Sequence, residues 1–270
     1  MPTVLEKANT LRALHQGPRL LVLANVWDCA SARIVAKAGL PALATSSAAV
    51  AAIYGYPDGE RISRDEMIEL VGRIAGCVSL PVSADVEAGY GQTTDDAAQT
   101  ARAVLACGAV GINLEDTATD GRLLPVEAQV ARIRAARSAA EPLVINARTD
   151  VFGVEDVPAA ERMAEAIRRG NAYLAAGADC AFVPWVVDPE RISALVREIR
   201  GPLNVLISPK SPPIPELERL GVRRASVGSG MARAAYGLAA TIVRELLDSG
   251  TYRSLAQGAI PYAEMQQLLE

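Results

Sequence analysis

Short runs of β-branched residues and leucine alternate with longer amphipathic stretches along almost the whole chain, and this alternation restricts the possible folds more than any other feature. Gly39, Gly108 and Gly177 follow three of the amphipathic stretches, where helix C-caps are expected. Eight strand–helix units predict an α/β protein of the (β/α)8 TIM barrel type, with a doubly wound parallel sheet as the alternative. The eight candidate strands are 20–24, 42–44, 82–84, 110–114, 143–145, 180–183, 203–207 and 225–227.

The length of the chain fits one such barrel. Its 270 residues match the usual size of a (β/α)8 domain, so we predict a single domain over 1–270. Two further helical segments, 231–248 and 252–270, follow the eighth strand, and a minimal barrel does not need both of them. We therefore expect 231–270 to form a C-terminal helical extension that packs on a partner subunit in a homo-oligomer.

Composition narrows the class of partner. The net charge is −4 and no run of Lys or Arg occurs, so the sequence offers no footprint for nucleic acid or for an anionic membrane surface. The four cysteines form no C-x-x-C pair, which removes the usual zinc and thioredoxin motifs. The first 16 residues lack the apolar core of a signal peptide, and no apolar run approaches the roughly 20 residues of a membrane span. We expect a soluble, cytoplasmic protein with a small-molecule substrate.

Polar side chains follow several of the predicted strands. Asp85 and Glu87 come after the third strand, Glu115 after the fourth and Arg148 after the fifth. A barrel carries its active site at the carboxyl ends of its strands, so these side chains are expected to converge at one mouth. Unpaired charges are costly to bury, and their clustering therefore predicts a site for a metal and an anion.

The single histidine limits the chemistry of that site. His15 lies on the predicted N-terminal helix, where we expect it at the surface, so no Ser-His-Asp triad can form and zinc is disfavoured. An all-oxygen site of Asp85, Glu87 and Glu115 suits Mg²⁺ or Mn²⁺.

Three further features have two interpretations each. Arg148 can hold a substrate carboxylate in bidentate fashion, or it can form an ion pair with Asp150 or Glu115. Asp58 lies in a Gly/Pro-punctuated loop and is either a functional acid or part of a turn. The segment 228–230, Gly-Ser-Gly, can cradle an anion or simply begin the last long helix.

Together these motifs resemble the isocitrate lyase / phosphoenolpyruvate mutase superfamily over nearly the whole chain. The matching segments are 45–48, 56–58, 84–91, 113–116, 145–150 and 203–205. The resemblance implies a barrel whose last helix is swapped between subunits of a dimer or tetramer, with Mg²⁺ bound to an α-oxycarboxylate substrate.

The resemblance also implies roles for individual residues. Asp85 looks like the direct metal ligand, with Glu87 and Glu115 acting on the metal largely through water. The remaining roles concern the substrate: its carboxylate is held by the turn of Ser46, Ser47 and Ala48 and by Arg148, Asp58 is an acid on a mobile loop, and Asn204 faces the substrate.

One departure from the family pattern bears on the reaction. Isocitrate and methylisocitrate lyases carry a Lys-(Lys/Arg)-Cys-Gly-His loop after the fourth strand, whereas 117–124 here contains neither Cys nor His. The leading hypothesis is therefore a Mg²⁺-dependent lyase or decarboxylase that cleaves a C–C bond of a small 2-oxo (di)carboxylic acid such as oxaloacetate through a metal-stabilised enolate. The alternatives are a phosphonopyruvate-type P–C hydrolase or mutase, and a metal-dependent 2-oxo-acid binding protein without turnover.

Overall fold

A computed structural model describes residues 2–270 as an all-parallel sheet surrounded by helices. The strands are β1 Leu21–Leu23, β2 Asn25–Val26, β3 Leu43–Thr45, β4 Val82–Asp85, β5 Gly111–Glu115, β6 Val144–Arg148, β7 Cys180–Val183, β8 Leu203–Leu206 and β9 Arg224–Ser226. The helices are α1 Val4–Gln16, α2 Cys29–Lys37, α3 Ser47–Ile53, α4 Arg64–Gly76, α5 Thr94–Ala106, α6 Val126–Ala139, α7 Arg162–Ala175, α8 Pro189–Glu198, α9 Ile214–Arg219, α10 Gly230–Asp248 and α11 Tyr262–Leu269, with a 3-10 turn at Arg253–Ala256.

The first predicted strand closes the barrel. It is interrupted at Ala24, so that β1 pairs with β9 on one side while β2 pairs with β3 on the other. All other neighbours in the sheet follow chain order from β3 to β9. The (β/α)8 barrel predicted from the alternation is thus confirmed. None of the helices within 2–270 is both long and apolar enough to cross a membrane.

Helix α4 shows how the outer layer forms. Ser63 caps it through a capping box with Glu66, which satisfies amide groups that the first turn leaves free. Its buried side chains, Met67, Val71 and Ile74 among them, recur at the three- and four-residue spacing of one helical face. Each such side chain contributes about 1.5 to 3 kcal/mol when it is fully buried.

Helix α1 covers one end of the barrel core, and its packing contradicts the predicted surface position of His15. Leu11 packs so closely on β5 that a Cβ at Gly111 would lie 2.8 Å from its side chain. His15, one helical turn further, is 1 % exposed, so its expected surface position is wrong. Ala8, Leu11 and His15 lie on the same face of the helix, and that face is the buried one.

The C-terminal extension differs in detail from its prediction. The segment 252–270 is not one helix, because the chain passes from the 3-10 turn through Gly258 and Pro261 before α11 begins. Helix α11 lies against α2 of the same chain, where Lys37 pairs with Glu264 at 2.8 Å. Helix α10 has Ala232 as its one buried residue. Packing of 231–270 on a partner subunit stays a prediction.

Candidate active site at the carboxyl end of the barrel

A cavity of about 220 Å³ opens at the carboxyl ends of the strands. Drug-sized ligands occupy sites of about 300 to 1,000 Å³, so this cavity suits a smaller molecule. It contains no Cys or His among its lining residues. Six residues predicted to form the site line it: Ser46, Ser47, Ala48, Asp58, Asp85 and Arg148.

Asp85 ends β4 and is held from both sides. Its Oδ2 accepts hydrogen bonds from the amide and the hydroxyl of Ser47, at 3.0 and 2.9 Å, and its Oδ1 accepts from Asn113 at 3.2 Å. Asn113 is itself held by Asn146 on the next strand. These donors orient the carboxylate toward the cavity.

The neighbouring Ser46 begins α3, a short helix that the sequence pattern does not predict. The Ser46 hydroxyl accepts from the amide of Ala49 and caps this helix. The Ser47 amide is bonded to Asp85 rather than directed at open space. The expected role of 46–48 in holding a substrate carboxylate stays a prediction.

Glu87 lies behind Asp85 rather than in the main cavity. It is buried, with a φ of +50°, and its Oε2 accepts from the amides of Gly59 and Glu60 at 2.9 and 2.5 Å. Burial, followed by the charges of Asp58 and Asp85, raises the pKa of Glu87 to about 7. Glu87 therefore anchors the 58–60 loop to the end of β4.

Arg148 forms ion pairs with both Glu115 and Asp150, the two carboxylates that the sequence offered as partners instead of a substrate. Its Nη1 contacts Glu115 at 2.6 Å, and its Nε and Nη2 form a bidentate pair with Asp150 at 2.6 and 2.9 Å. The ring of Trp185 stacks over the guanidinium at 5.2 Å. Burial raises the pKa of Glu115 well above its usual value, although Arg148 opposes this shift.

A buried network behind β5 fixes this ion pair in place. Asp116 accepts from the amide of Asp150 at 2.9 Å with one oxygen. Its other oxygen accepts from Arg169 at 2.9 Å and from the Tyr173 hydroxyl at 2.6 Å. Helix α7 thereby determines where Asp150, and through it Arg148, can lie.

Asp58 occupies the loop at the cavity mouth. Desolvation, followed by the nearby charge of Asp85, raises the pKa of its carboxyl, while Ser47 lowers it. A raised pKa is what a group needs to hold a proton closer to neutral pH. Asn204, in contrast, is fully buried on β8 and does not line the cavity, and within residues 2–270 its side chain forms hydrogen bonds only with Ser226, at 3.5 Å. Its expected contact with the substrate stays a prediction.

The predicted metal ligands are neighbours but not a ready-made cluster. Within residues 2–270 no three acidic, His or Cys side chains are close enough to hold an ion as they stand. Asp85 lines the main cavity, whereas Glu87 and Glu115 line an adjacent one of about 180 Å³ beside the 117–121 loop.

The chemistry of these donors nevertheless fits a hard divalent cation. All of the donor atoms are oxygens. The negative charge of Asp85 is one of the causes that raise the pKa of Asp58, Glu87 and Glu115. The guanidinium of Arg148 already pairs with two carboxylates. A cation bound there would relieve this excess of negative charge.

Among the cavity-lining residues that the sequence did not assign to the site are Trp185, Arg224 and Arg233. Two signals could have found the arginines. Arg224 is a charged residue directly before the predicted strand 225–227, and Arg233 is a cation in the first turn of a helix, where anions are favoured.

Comparison with known proteins agrees with this geometry. Residues 11–247 match the family model of phosphoenolpyruvate phosphomutase. A provisionally assigned phosphonomutase from Burkholderia cenocepacia J2315 is 41 % identical, with a TM-score of 0.84 over 88 % of this chain and 99 % of that chain.

Two further relatives carry named activities. An oxaloacetate decarboxylase from Rhodopseudomonas palustris (strain HaA2) is 31 % identical over 76 % of this chain and 71 % of its own. A phosphonopyruvate hydrolase in complex with oxalate and Mg²⁺ is 26 % identical, with a TM-score of 0.85 over 97 % of this chain and 94 % of that chain. With the family model matched from α1 to the end of α10, the chain belongs to the isocitrate lyase / phosphoenolpyruvate mutase superfamily, whose members are lyases or mutases.

Proposed function

We propose that this protein is a Mg²⁺-dependent carbon–carbon lyase that decarboxylates a small 2-oxo dicarboxylic acid, with oxaloacetate as the leading candidate. The observation that carries the proposal is the acidic cluster around Asp85 in a small cavity whose lining contains no Cys or His. Lyase chemistry that needs a Cys acid has no candidate residue in this cavity. Loss of the C4 carboxylate of a 2-oxo dicarboxylic acid needs only an electron sink and a proton donor, because the 2-oxo group adjoins C3 and accepts the electron pair as an enolate.

Asp85 would hold the metal directly, and Glu87 and Glu115 would hold it through water. When bound, the cation supplies the positive charge that stabilises the negative charge developing on the 2-oxo oxygen. Either Mg²⁺ or Mn²⁺ satisfies the all-oxygen donor set. The named relative that contains oxalate and Mg²⁺ supports this choice of metal.

The protein side chains have two tasks in this reaction. The Ser46–Ala48 turn and Arg148 orient the carboxylate next to the 2-oxo group, and Trp185 shields Arg148 from solvent on one face. Cleavage of the C3–C4 bond releases CO₂ and leaves its electron pair at C3. Asp58, with its raised pKa, delivers the proton that completes pyruvate.

The direct test is pyruvate release from oxaloacetate by the purified protein with Mg²⁺, measured against Mg²⁺ alone because the metal itself accelerates the reaction. We expect a rate far above this background, its loss with EDTA, and a drop of about 10²- to 10⁴-fold in Asp58→Asn. A rate equal to the metal-only background would refute the proposal.

Two alternatives share the same cavity. The similarity to a phosphonopyruvate hydrolase supports P–C cleavage, which would release phosphate from phosphonopyruvate in a parallel assay. A binding protein without turnover would be stabilised by 2-oxo acids and Mg²⁺ in thermal unfolding but would yield no product from either compound.

We further propose that the chain works as a homo-oligomer through its C-terminal extension, 231–270. Helix α10 exposes Tyr236, Val243, Leu246 and Leu247 along much of its length. An exposed apolar surface of this extent on α10 is better explained by contact with a second copy of the chain than by contact with water.

A further inference from the structure

The cavity has a second, basic side that the proposed reaction does not yet use. In the barrel β9 adjoins β1 and β8, so the strand opposite β9 is β5, and the acidic cluster lies on β4, β5 and β6. Arg224 on β9 and Arg233 on α10 line the same cavity, and the Arg224 guanidinium lies beneath it, within reach of Ser83 on β4. A molecule held at the acidic cluster therefore lies above Arg224 and extends toward Arg233.

Arg224 forms the floor of the basic side. It is 2 % exposed, and its contacts are Ser83 at 3.3 Å and His15 at 3.4 Å, both at the long limit for a hydrogen bond. Its Nε is buried without a partner. No carboxylate within the described residues forms a salt bridge with it, although the charge of Asp85 is close enough to oppose the lowering of its pKa by burial. A buried guanidinium left this incomplete is costly unless an anion lies near it.

Arg233 lies at the mouth of the same side. Its side chain is exposed and pairs with no acidic residue of the described chain. A cation in the first turn of a helix opposes the helix dipole, so this position does not serve helix stability. Ser229, at the N-cap of α10, does not use its hydroxyl to cap the helix, although Ser229 also lines the cavity.

The turn between β9 and α10, which contains Ser229 and precedes Arg233, is tied to the rest of the site. Asn25 accepts from the amides of Val227 and Gly228 at 3.0 and 2.9 Å and donates to the carbonyl of Thr45 at 2.7 Å. Gly228 has a φ of +55°, which an L side chain rarely adopts. The start of α10 therefore has a set position relative to the Ser46–Ala48 turn.

We propose that Arg233, assisted by the Ser229 hydroxyl, binds the second carboxylate of the substrate, the one distal to the 2-oxo acid end, and so selects small dicarboxylates over monocarboxylates. Arg224 adds positive potential beneath this subsite. The assignment of the distal group rests on the proposed function, since that function defines which end of the substrate lies at Asp85.

The test compares two unreactive hydroxy acids of the same configuration, malate and lactate, which differ by the distal carboxylate alone. Isothermal titration with Mg²⁺ present is expected to show that the wild-type protein binds malate at least about tenfold more tightly than lactate. Arg233→Gln should abolish this preference and leave the affinities for lactate and oxalate unchanged. Because Arg233 is exposed, the variant is expected to fold.

The matched control is Arg244→Gln, which removes the same charge from the same helix eleven residues further on, about 16 Å along its axis. It should retain the preference for malate. Steady-state kinetics with oxaloacetate should show KM raised about tenfold or more in Arg233→Gln with no fall in kcat, because the distal carboxylate loses its charge as it leaves as CO₂ and its contact with Arg233 is therefore stronger in the ground state than in the transition state.

Three outcomes would overturn the subsite: equal wild-type affinity for malate and lactate, no measurable binding of malate, or a preference that survives in Arg233→Gln. The proposed function can fail separately. If oxaloacetate is not decarboxylated and yet the malate preference depends on Arg233, the subsite stands and the reaction assignment does not. If decarboxylation proceeds without dependence on Arg233, the reverse holds.

Discussion

Asp85 shows how a single carboxylate is prepared for binding. Two donors from Ser47 and one from Asn113 satisfy its oxygens and orient it before any ligand arrives. Glu87, two residues later, faces the 58–60 loop instead and has its pKa raised to about 7. The two acids at the end of β4 therefore have different roles, because their carboxylates accept hydrogen bonds from different segments of the chain.

We predict that Asp85→Asn abolishes Mg²⁺-dependent binding of oxalate, with a loss of affinity of at least about 100-fold, because the substitution preserves shape but removes the charge that a metal needs. Titration calorimetry with and without Mg²⁺ would measure this loss. Asp95→Asn, at an exposed position of α5, should bind as the wild-type protein does. Unchanged metal-dependent binding in Asp85→Asn would place the metal elsewhere.

His15 makes a pH prediction that is independent of the metal. Burial, followed by the charge of Arg224, lowers its pKa from 6.5 to about 4. Between these pH values His15 is protonated in the unfolded chain but neutral in the folded chain. The contribution of His15 to the free energy of unfolding is therefore fully present above pH 6.5 and is lost as the pH falls to 4. The loss amounts to about 3 kcal/mol of unfolding free energy.

Urea unfolding of the wild-type protein and of His15→Gln at pH 7 and pH 4.5 would measure this contribution as the difference between the two proteins, because protonation of Glu87, whose pKa is about 7, acts in the opposite direction in both. His15→Gln should lack the His15 contribution, since glutamine does not titrate. The imidazole proton signals should titrate near pH 4 in the folded protein, and they are unambiguous because the chain has one histidine. A midpoint near 6.5 would contradict the burial of His15.

At the scale of elements, the site depends on how α7 is attached to the ends of β5 and β6. Arg169 and Tyr173, one turn apart on α7, both bond to the same oxygen of Asp116, which is 0 % exposed. The other oxygen of Asp116 holds the backbone of Asp150. The helix thus positions Arg148 without contacting the cavity.

Removal of one partner from this pair should be strongly destabilising. Arg169→Met leaves the charge of Asp116 buried and uncompensated, and we expect a loss of about 3 to 5 kcal/mol in the free energy of unfolding. Tyr173→Phe removes two hydrogen bonds, one donated to Asp116 and one accepted from Arg169, and should cost about 1.5 to 3 kcal/mol. Chemical denaturation of both variants would compare the two losses. Equal losses would mean that the charge of Arg169 adds nothing beyond its hydrogen bonds.

At the scale of the whole molecule, α10 begins at the cavity and then extends away from its own barrel. Leu247, near its end, is 79 % exposed. Helix α11, in contrast, returns to the barrel and contacts α2 through Arg33 and Lys37. The same helix that carries Arg233 therefore also carries the surface proposed to meet a second subunit.

We predict a solution mass of two or four times 28.4 kDa by light scattering. Leu247→Asp should shift the protein toward the monomer, because it places a charge within the apolar surface of α10. Arg244→Gln is the control that should leave the mass unchanged. A wild-type protein that is monomeric at micromolar concentration would exclude the oligomer.

Much of the fold could be read from local patterns. All eight predicted barrel strands lie within a few residues of the strands in the structure. These patterns are local because the period of apolar residues and the capping residues lie within one element. Helix α3 was missed because its small residues show no helical face, and the break at Ala24 was missed because it arises from pairing with two different strands.

The sequence by itself determined which side chains would gather at the carboxyl ends of the strands, since that follows from strand order in a closed barrel. It could not determine their pairing. Only the tertiary structure decided that Arg148 binds Glu115 and Asp150, that His15 is buried beside Arg224, and that Arg233 lines the same cavity as Asp85. The physical reason is that a side chain's partner and its desolvation depend on residues that are distant in the chain and adjacent only after the barrel has closed.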